Sequence, residues 1–305
     1  MSALTAQPPP LQPSSVAVRL LRVADLGEPG LAGERLAYFT RIFLLLIAVD
    51  HWHGLSHWPH PSGHGFHVLL AVGVSACAAL AWRPGALRWA AGLAALPIAI
   101  DLVWAFPDHA NHQYLALLVA GLVALFDPDD PAEAGTALAG LRWLVVIGLG
   151  WAGLQKVLWG YYFDGTFLSF VIAQRESFAW AFQWILPDGE LARLQALALR
   201  EGAGPFRAES LWLDLAAVGS WVSEIVLAAG LLIPRTRALA ALGAMGLIAI
   251  IEVAARELFF GLIMFDFLVL FLPGRAGRRG WPLFALAGAI LLASVLGWLP
   301  DWTFT

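Results

Sequence analysis

The sequence is poor in cysteine, in lysine and in charged residues generally, and each shortage excludes a class of protein. Cys77 is its only cysteine, which excludes an internal disulfide framework and a cysteine-based zinc site. Charged residues make up 13% of the 305 residues, whereas soluble domains have about 25%. The net charge of −4 is too small to indicate a nucleic-acid partner. With 60% hydrophobic residues, the composition indicates a protein of the lipid bilayer.

What the sequence has is a series of apolar segments close to the roughly 20 residues that cross a bilayer as a helix. These predict an all-α, polytopic membrane helix bundle of nine transmembrane helices, or of eight if the seventh and eighth segments form one helix. The seventh and eighth meet at the tight junction "ARELFFG". The segments lie at about 36–52, 65–82, 86–106, 112–127, 139–159, 211–233, 238–256, 258–273 and 281–299.

The apolar segments also set the predicted domain boundaries. Residues 1–34, rich in Pro, Ser and Gly, are expected to form a flexible cytoplasmic tail. Residues 35–299 form a single transmembrane domain, and residues 300–305 form a short C-terminal tail. Between the fifth and sixth segments, about 160–210, we expect a helical insertion at the outer surface. Its first part reads as an amphipathic or re-entrant helix, and a second helix follows Pro187-Asp188-Gly189.

Arginine positions predict the orientation of the bundle. Arginines cluster on alternate connections, among them Arg83 with Arg88 and Arg235 with Arg237, whereas the short loops 51–64 and 107–112 contain no Lys or Arg. The positive-inside rule then places the N-terminus in the cytoplasm and the C-terminus outside. Arginine-rich, lysine-poor usage with much Ala and Gly suggests a bacterium, and hence its cytoplasmic membrane. An aromatic belt at the outer interface is predicted from Trp52, Trp58, Trp104, Trp159, Trp180, Trp184 and Trp212.

Ionisable side chains within apolar segments are the first functional candidates, because they are costly in lipid and are expected to face the bundle interior. Asp50, Asp101, Glu252 and Lys156 fall at similar depths near the outer ends of their segments, which predicts a polar pocket open to the outer face. Structural pairing, as between Glu252 and Arg256 four residues apart, is the alternative. The other polar members of the predicted pocket are Glu224, Asp266 and Gln155.

All eight histidines lie on the predicted outer side of the membrane, in or next to the two outer loops, which makes a metal site the second candidate. Spacings of four, as in His53/His57 and His60/His64, aim two imidazoles at one ion on a helix, although glycines and prolines interrupt this stretch. The ion would be Zn, Cu or Fe, since imidazole suits all three. A role in proton handling is the alternative, because imidazoles gain charge below about pH 6.5. The set is His51, His53, His57, His60, His64, His67, His109 and His112.

The only lysine lies in "AGLQKVLWGYYFDGTFLSF", which resembles the signature of the horizontally transferred transmembrane domain (HTTM) family. The membrane portion of the vitamin K-dependent gamma-carboxylase belongs to that family. The matching residues are Ala152, Gly153, Lys156, Trp159, Asp164, Gly165 and Thr166. A second patch, "ELFFGLIMFDFLVLFLP", is similar to the family's late Phe-rich helix. The resemblance implies a nine-helix bundle in which Lys156 is the base that deprotonates a reduced quinone.

Several departures from the family pattern limit what the resemblance implies. The carboxylase has a large lumenal domain after its last span, whereas this chain stops at Thr305. The late helix lacks the family's proline, and the histidine loop is foreign to the pattern. Glutamate gamma-carboxylation itself is therefore not expected.

Three functions remain open at this point. The first is an enzyme at the outer leaflet, carboxylase-like or a quinone-linked lyase or oxidoreductase. In it Lys156 acts as general base on a quinone or other lipidic substrate, and Asp101 and Asp50 tune the pocket. The second is a metal- or proton-handling transport or accessory subunit that uses the histidine loop. The third is a membrane partner of a separately encoded soluble enzyme. A lysine that merely extends its ammonium group to the membrane interface is the structural alternative to the first.

Overall fold

The structure is a computed structural model that describes residues 31–57, 64–104, 111–160, 162–198 and 206–273. Within these ranges the chain forms eleven α-helices and one short 3₁₀-helix, and no described residue lies in a β-strand. The predicted all-α class is therefore confirmed for this part of the chain. Most of the predicted N-terminal tail, the ninth apolar segment and the C-terminal tail lie outside the described residues.

The helices follow the predicted apolar segments closely. The seventh and eighth segments are separate helices, because Arg256 adopts a left-handed backbone conformation with a φ of 57° that ends the first of them. In chain order the helices are α1 (Ala32–His57), α2 (His64–Leu80), α3 (Leu87–Trp104), α4 (Asn111–Ala124), α5 (Pro131–Trp159), α6 (Thr166–Gln174), α7 (Glu176–Phe182), the 3₁₀-helix (Gln183–Ile185), α8 (Glu190–Ala198), α9 (Leu211–Leu232), α10 (Arg237–Ala255) and α11 (Leu258–Val269).

Four helices, α3, α5, α9 and α10, are long and apolar enough to cross a bilayer, judged by length and composition. Apolar stretches of α2, α4 and α11 are shorter than a full span. Helix α1 has 26 residues but includes four charged side chains, among them Asp50. The described residues therefore indicate a membrane protein built as a bundle of helices.

Helices α5 and α9 form the most extensive helix pair, and glycine explains their close approach. A Cβ added to Gly153 would lie 2.7 Å from Ile225 Cγ1 and 3.0 Å from the Trp221 carbonyl oxygen, so a larger residue would push the helices apart. Gly150, one turn earlier, faces Ala228 at an ordinary contact distance. Residues nearer the C-terminal end of α5 contact residues nearer the N-terminal end of α9, so the two helices are antiparallel. Helices α1, α4, α10 and α11 pack around this pair.

The predicted insertion folds into α6, α7, the 3₁₀-helix and α8, and it shares with α9 a small core that includes Leu168, Ile172 and Leu194. The single surface helix expected in its first part is broken, because the extended backbone of Arg175 (φ −121°, ψ 119°) separates α6 from α7. Helix α8 begins directly after Pro187-Asp188-Gly189, as predicted. Helix α6 packs on α9 and α7 packs on α10, so the insertion is fastened to the helices around α5.

Four arginines donate side-chain hydrogen bonds to carbonyl oxygens at the ends of other helices. Arg142 Nε lies 3.0 Å from the Leu270 oxygen, just past the end of α11, and the Arg142 side chain is buried. Cations at a helix C-terminus satisfy carbonyls that lack intrahelical partners and interact favourably with the helix dipole. These arginines therefore cap the ends of neighbouring helices. The other three bonds are Arg41 Nε to Ala81 (3.0 Å), Arg237 Nε to Leu231 (2.9 Å) and Arg35 Nη2 to Leu272.

We expect Arg142→Met to lower the thermal stability of the detergent-purified protein. The substitution removes the donor to the buried Leu270 carbonyl, and the loss of a buried hydrogen bond lowers the free energy of unfolding by about 1–3 kcal/mol. Arg83→Met is the matched control, because Arg83 is exposed on the connection after α2, and its melting temperature should barely change. Equal losses in the two variants would contradict the capping role.

Candidate functional site

Lys156 lies in the last turn of α5, where a glycine stops the helix. Gly160 adopts a left-handed conformation (φ 75°), and its N–H donates to the Lys156 carbonyl oxygen over 3.2 Å. Glycine carries no Cβ that would oppose this conformation, so it is the usual residue just past a helix end. The sequence therefore places the lysine at the end of a long apolar helix, as predicted.

Lys156 is joined to Glu224 of α9 by a short ion pair. Lys156 Nζ and Glu224 Oε1 are 2.5 Å apart, and 19% of the lysine side chain and 6% of the glutamate side chain are exposed. The close approach of α5 and α9 at Gly153 brings the two backbones near enough for this contact, because Gly153 also faces Glu224 Cβ. A lysine that merely extended its ammonium group to the membrane interface would point at water. The Lys156 ammonium is instead directed at the buried carboxylate of Glu224.

Aromatic residues that follow α5 cover the ion pair. Lys156 Nζ lies 4.9 Å from the centre of the Tyr162 ring, within the range of a cation–π contact. Tyr162 in turn stacks on Phe167 of α6, and Phe163 meets the edge of Trp221 of α9. Burial, and secondly the negative charge of Glu224, raise the pKa of Tyr162 above its ordinary value. Its phenol therefore stays protonated and can donate a hydrogen bond at the site.

The Asp-Gly-Thr end of the quoted motif anchors the insertion. The backbone N–H and the hydroxyl of Thr166 both donate to Asp164 Oδ1, at 3.2 and 2.7 Å. The Thr166 hydroxyl bond is the largest cause that lowers the pKa of the Asp164 carboxyl. Gly165 (φ 66°) leaves room for Asp214, whose Oδ1 would lie 2.8 Å from an added Cβ. These three residues thus fasten the start of α6 to α9. Trp159, by contrast, is exposed at the end of α5.

A cavity of about 520 Å³ lies beside the ion pair, between α4, α5, α9, α10 and α11. Its wall includes Glu224, Gln155 and Ala152, and apart from Glu224 and Gln155 the described residues of the wall are apolar or glycine. Pockets of roughly 300–1,000 Å³ with few polar groups are typical of small-molecule sites. The arrangement suits an apolar ligand that presents one polar end to Glu224.

A second group of ionisable residues lies where α1, α2 and α3 meet. The Asp101 carboxylate is placed between two imidazoles, with Oδ2 4.0 Å from His51 Nε2 and Oδ1 3.7 Å from His67 Nδ1. His51 Nδ1 is 2.9 Å from the Ile47 carbonyl oxygen, which assigns the ring proton to Nδ1 and turns Nε2 toward Asp101. Asp50 is close enough to Asp101 for the two carboxylates to interact. Sequence analysis placed these residues on one face of the membrane but not in this pairing.

The remaining pocket candidates, Glu252 and Asp266, are buried elsewhere in the bundle. The Glu252 side chain packs against Gly261 of α11, where an added Cβ would lie 2.8 Å from its Cγ. Glu252 Oε2 and Asp266 Oδ2 have no hydrogen-bond partner among the described residues. Lys156 thus takes its carboxylate partner from Glu224, which the sequence placed nearer mid-span, and a role for Asp50 and Asp101 beside Lys156 stays a prediction.

The predicted metal site is described only in part. The ranges that the structure describes hold no group of three or more His, Cys, Asp or Glu placed to bind a metal ion. His60 and His109 lie outside those ranges, and the side chains of His57, His64 and His112 are not described. Metal binding at the histidine loop therefore stays a prediction.

Comparison with known proteins finds no match, whether among protein-family models, curated proteins or solved structures. The resemblance to the HTTM family therefore depends on the residues quoted for it and stays a prediction.

We expect Gly153→Ala to destabilise the protein and to disturb the Lys156–Glu224 pair. The added methyl group overlaps Ile225 and the Trp221 carbonyl, and overpacking of this kind costs about 1–3 kcal/mol. Gly148→Ala, on the same helix, is the control, because its Cβ meets no atom within 4 Å. Thermal unfolding in detergent measures both, and a Gly153→Ala protein as stable as Gly148→Ala would disprove the tight α5–α9 contact.

Proposed function

We propose that this chain is a membrane-embedded enzyme of the HTTM, gamma-carboxylase-like type, in which Lys156 is the general base. Its substrate is a quinone in reduced form or another lipidic molecule with an ionisable hydroxyl. The observation that carries the proposal is the pair of a mostly buried Lys156 and a buried Glu224 beside a mainly apolar cavity. Glutamate gamma-carboxylation is not proposed, and the reaction class stays carboxylase-like, or that of a quinone-linked lyase or oxidoreductase.

The proposed proton transfer depends on how an amine and a carboxyl group share a proton away from water. Burial disfavours separated charges, so a close amine–carboxyl pair can hold its proton as ammonium with carboxylate or as amine with carboxylic acid. In the second form the Lys156 amine accepts the proton of the substrate hydroxyl. The products are an ammonium ion and a substrate oxyanion, which stabilise each other by charge. Tyr162 covers the amine, and its protonated phenol is positioned to limit contact with water.

The membrane arrangement of the proposal follows the sequence patterns. It comprises nine spans, with the N-terminus in the cytoplasm and the C-terminus outside, in a bacterial cytoplasmic membrane. The insertion and the end of α5 at Lys156 would then lie at the outer leaflet. Support comes from the four helices long and apolar enough to cross a bilayer and from the exposed Trp159, Trp180 and Trp184. Partnership with a separately encoded soluble enzyme stays a prediction that no contact in the described residues favours.

The test uses a short-chain hydroquinone added to the protein in nanodiscs, with oxygen consumption as the readout. A hydroquinone anion reacts with O₂ faster than the neutral form and yields quinone and hydrogen peroxide, so a base beside the cavity would accelerate the oxidation. We expect Lys156→Met to lower the rate by about 10²–10⁴-fold, the usual contribution of a general base. Glu224→Gln should also lower it, since the amine loses its proton partner. Arg88→Met, at an exposed pair with Asp127, is the control and should retain the wild-type rate.

Two outcomes decide against this enzyme. The wild-type rate must exceed that of protein-free nanodiscs, and Lys156→Met must fall below the Arg88→Met control. If either comparison shows no difference, Lys156 is not a base for a hydroquinone.

The His51–Asp101–His67 group supports the proton-handling form of the second candidate function, which is proton or metal handling. Two imidazoles from α1 and α2 share one carboxylate of α3, and all three side chains are mostly withdrawn from solvent. A neutral His51 would direct the lone pair of Nε2 at a carboxylate oxygen, which is unfavourable without a cation between them. The group is therefore suited to hold a proton, with Asp101 as the counter-charge, while a metal ion would need ligands that the described residues do not bring together here.

We expect His51→Gln to reduce proton influx driven by a membrane potential into proteoliposomes that contain a pH-sensitive dye. His53→Gln is the matched control, because His53 lies two positions along the same helix and so on another face. Elemental analysis of the same preparations distinguishes proton handling from metal handling. A metal ion present at one per chain in the wild type and lost in His51→Gln would support the metal site. Unchanged flux together with absent metal in the wild type would exclude both.

A further inference from the structure

The cavity beside Glu224 has a polar end and an apolar end, and the two are separated along α5. Gln155 lies one turn before the end of α5, whereas Val145 lies ten residues deeper along the same helix. At 1.5 Å per residue this separation is about 15 Å. It equals half of the roughly 30 Å hydrocarbon core of a bilayer. The cavity is therefore about as long as one lipid leaflet is thick. Its polar end lies toward the end of α5, where the head groups of that leaflet would lie.

The cavity is open along one face of α5. Gly148, Trp151 and Gln155 all line it, and their spacings of three and four residues place them on the same face of the helix. All three are exposed at the protein surface, Trp151 to 56%. A Cβ added to Gly148 meets no atom within 4 Å, which marks open space at this point of the wall.

The opening lies at the depth of lipid chains. Gly148 and Trp151, which form its deeper part, lie two to three turns before the end of a helix that is long and apolar enough to cross the bilayer. The exposed residues next to it, Ile147 and Leu154, are apolar as well. An entrance used by water would be bordered by polar side chains, because unpaired apolar surface is unfavourable there. The surroundings of the opening are therefore those of a contact with acyl chains.

We propose that this opening is a lateral portal through which the apolar chain of a membrane-soluble amphiphile enters the cavity from the bilayer. The ligand class is an amphiphile with one apolar chain and a head group that donates a hydrogen bond. Glu224 Oε1 is engaged by Lys156, while its Oε2 is buried and has no hydrogen-bond partner among the described residues, so a ligand hydroxyl that donates to it would satisfy this acceptor. The inference rests on the proposed function only in placing the substrate in this cavity, and it requires no base at Lys156.

Spin labels test whether the opening faces lipid. In a Cys77→Ser background, which removes the only native cysteine, single labels are attached at Gly148→Cys and Trp151→Cys of full-length protein in proteoliposomes. We expect collisions with oxygen, which concentrates in lipid, to exceed those with an aqueous nickel chelate at both positions. Asp129→Cys, exposed on the connection before α5, is the aqueous reference and should show the reverse. Dominant nickel collisions at the α5 positions, or no access for either reagent, would overturn the portal.

A larger side chain at the opening tests whether an acyl chain enters the cavity there. The probe is a long-chain monoacylglycerol with a photoactivatable diazirine at the end of its chain, and mass spectrometry reads the cross-linked peptides. We expect cross-links on the cavity wall near Val145 in the wild type, and their loss in Gly148→Leu. Gly246→Leu is the control, because Gly246 is also exposed with open space for a Cβ but does not line the cavity. Equal labelling of both variants would overturn the proposal.

The two proposals fail in distinguishable ways. Lys156→Met should keep the cross-link at the cavity wall, since the chain binds apart from the amine. If hydroquinone oxidation is absent but the probe still enters past Gly148, the base assignment is wrong and the portal stands. If oxidation depends on Lys156 but the probe is never found in the cavity, the portal is wrong and the base assignment stands.

Discussion

The ion pair between Lys156 and Glu224 is the interaction on which the candidate site depends. Both charges are withdrawn from water, where a single unpaired charge is unfavourable by several kcal/mol (about 3–5 kcal/mol when one partner of a buried pair is removed). The pair exists only because α5 and α9 approach closely, and Gly153 is the residue that permits this approach. The same contact leaves a cavity beside Glu224. The chemistry, the packing and the empty space are thus consequences of one helix interface.

The insertion after α5 completes this interface from outside the bundle. Asp164, Gly165 and Thr166 form a turn that fits against Asp214 of α9 and begins α6. With the turn fixed there, Tyr162 comes to lie over the Lys156 amine. A motif that looks like a catalytic signature in the sequence therefore combines two roles. Its lysine carries the amine of the ion pair, and its Asp-Gly-Thr end holds Tyr162 over that amine.

The described polar groups of the bundle pair with one another on different sets of helices. Asp101 with its two imidazoles lies at the junction of α1, α2 and α3, while Lys156 and Glu224 lie between α5 and α9. A similar depth along each helix, which the sequence does reveal, does not imply contact, because helices at the same depth can face different neighbours. The rotation of each helix about its own axis decides which acids meet, and apolar segments of this kind show almost no polar face from which to read it.

The sequence by itself determined the helical class, the position of most helices and the place of Lys156 at a helix end. These features are local, since they follow from runs of apolar residues and from glycine and proline at the breaks. Tertiary structure alone decided that Glu224, 68 residues away, is the lysine's partner, that Tyr162 covers it and that Arg175 divides the surface helix. Such outcomes depend on which helix faces come together. Close packing at residues such as Gly153 selects those faces, and no single segment contains that information.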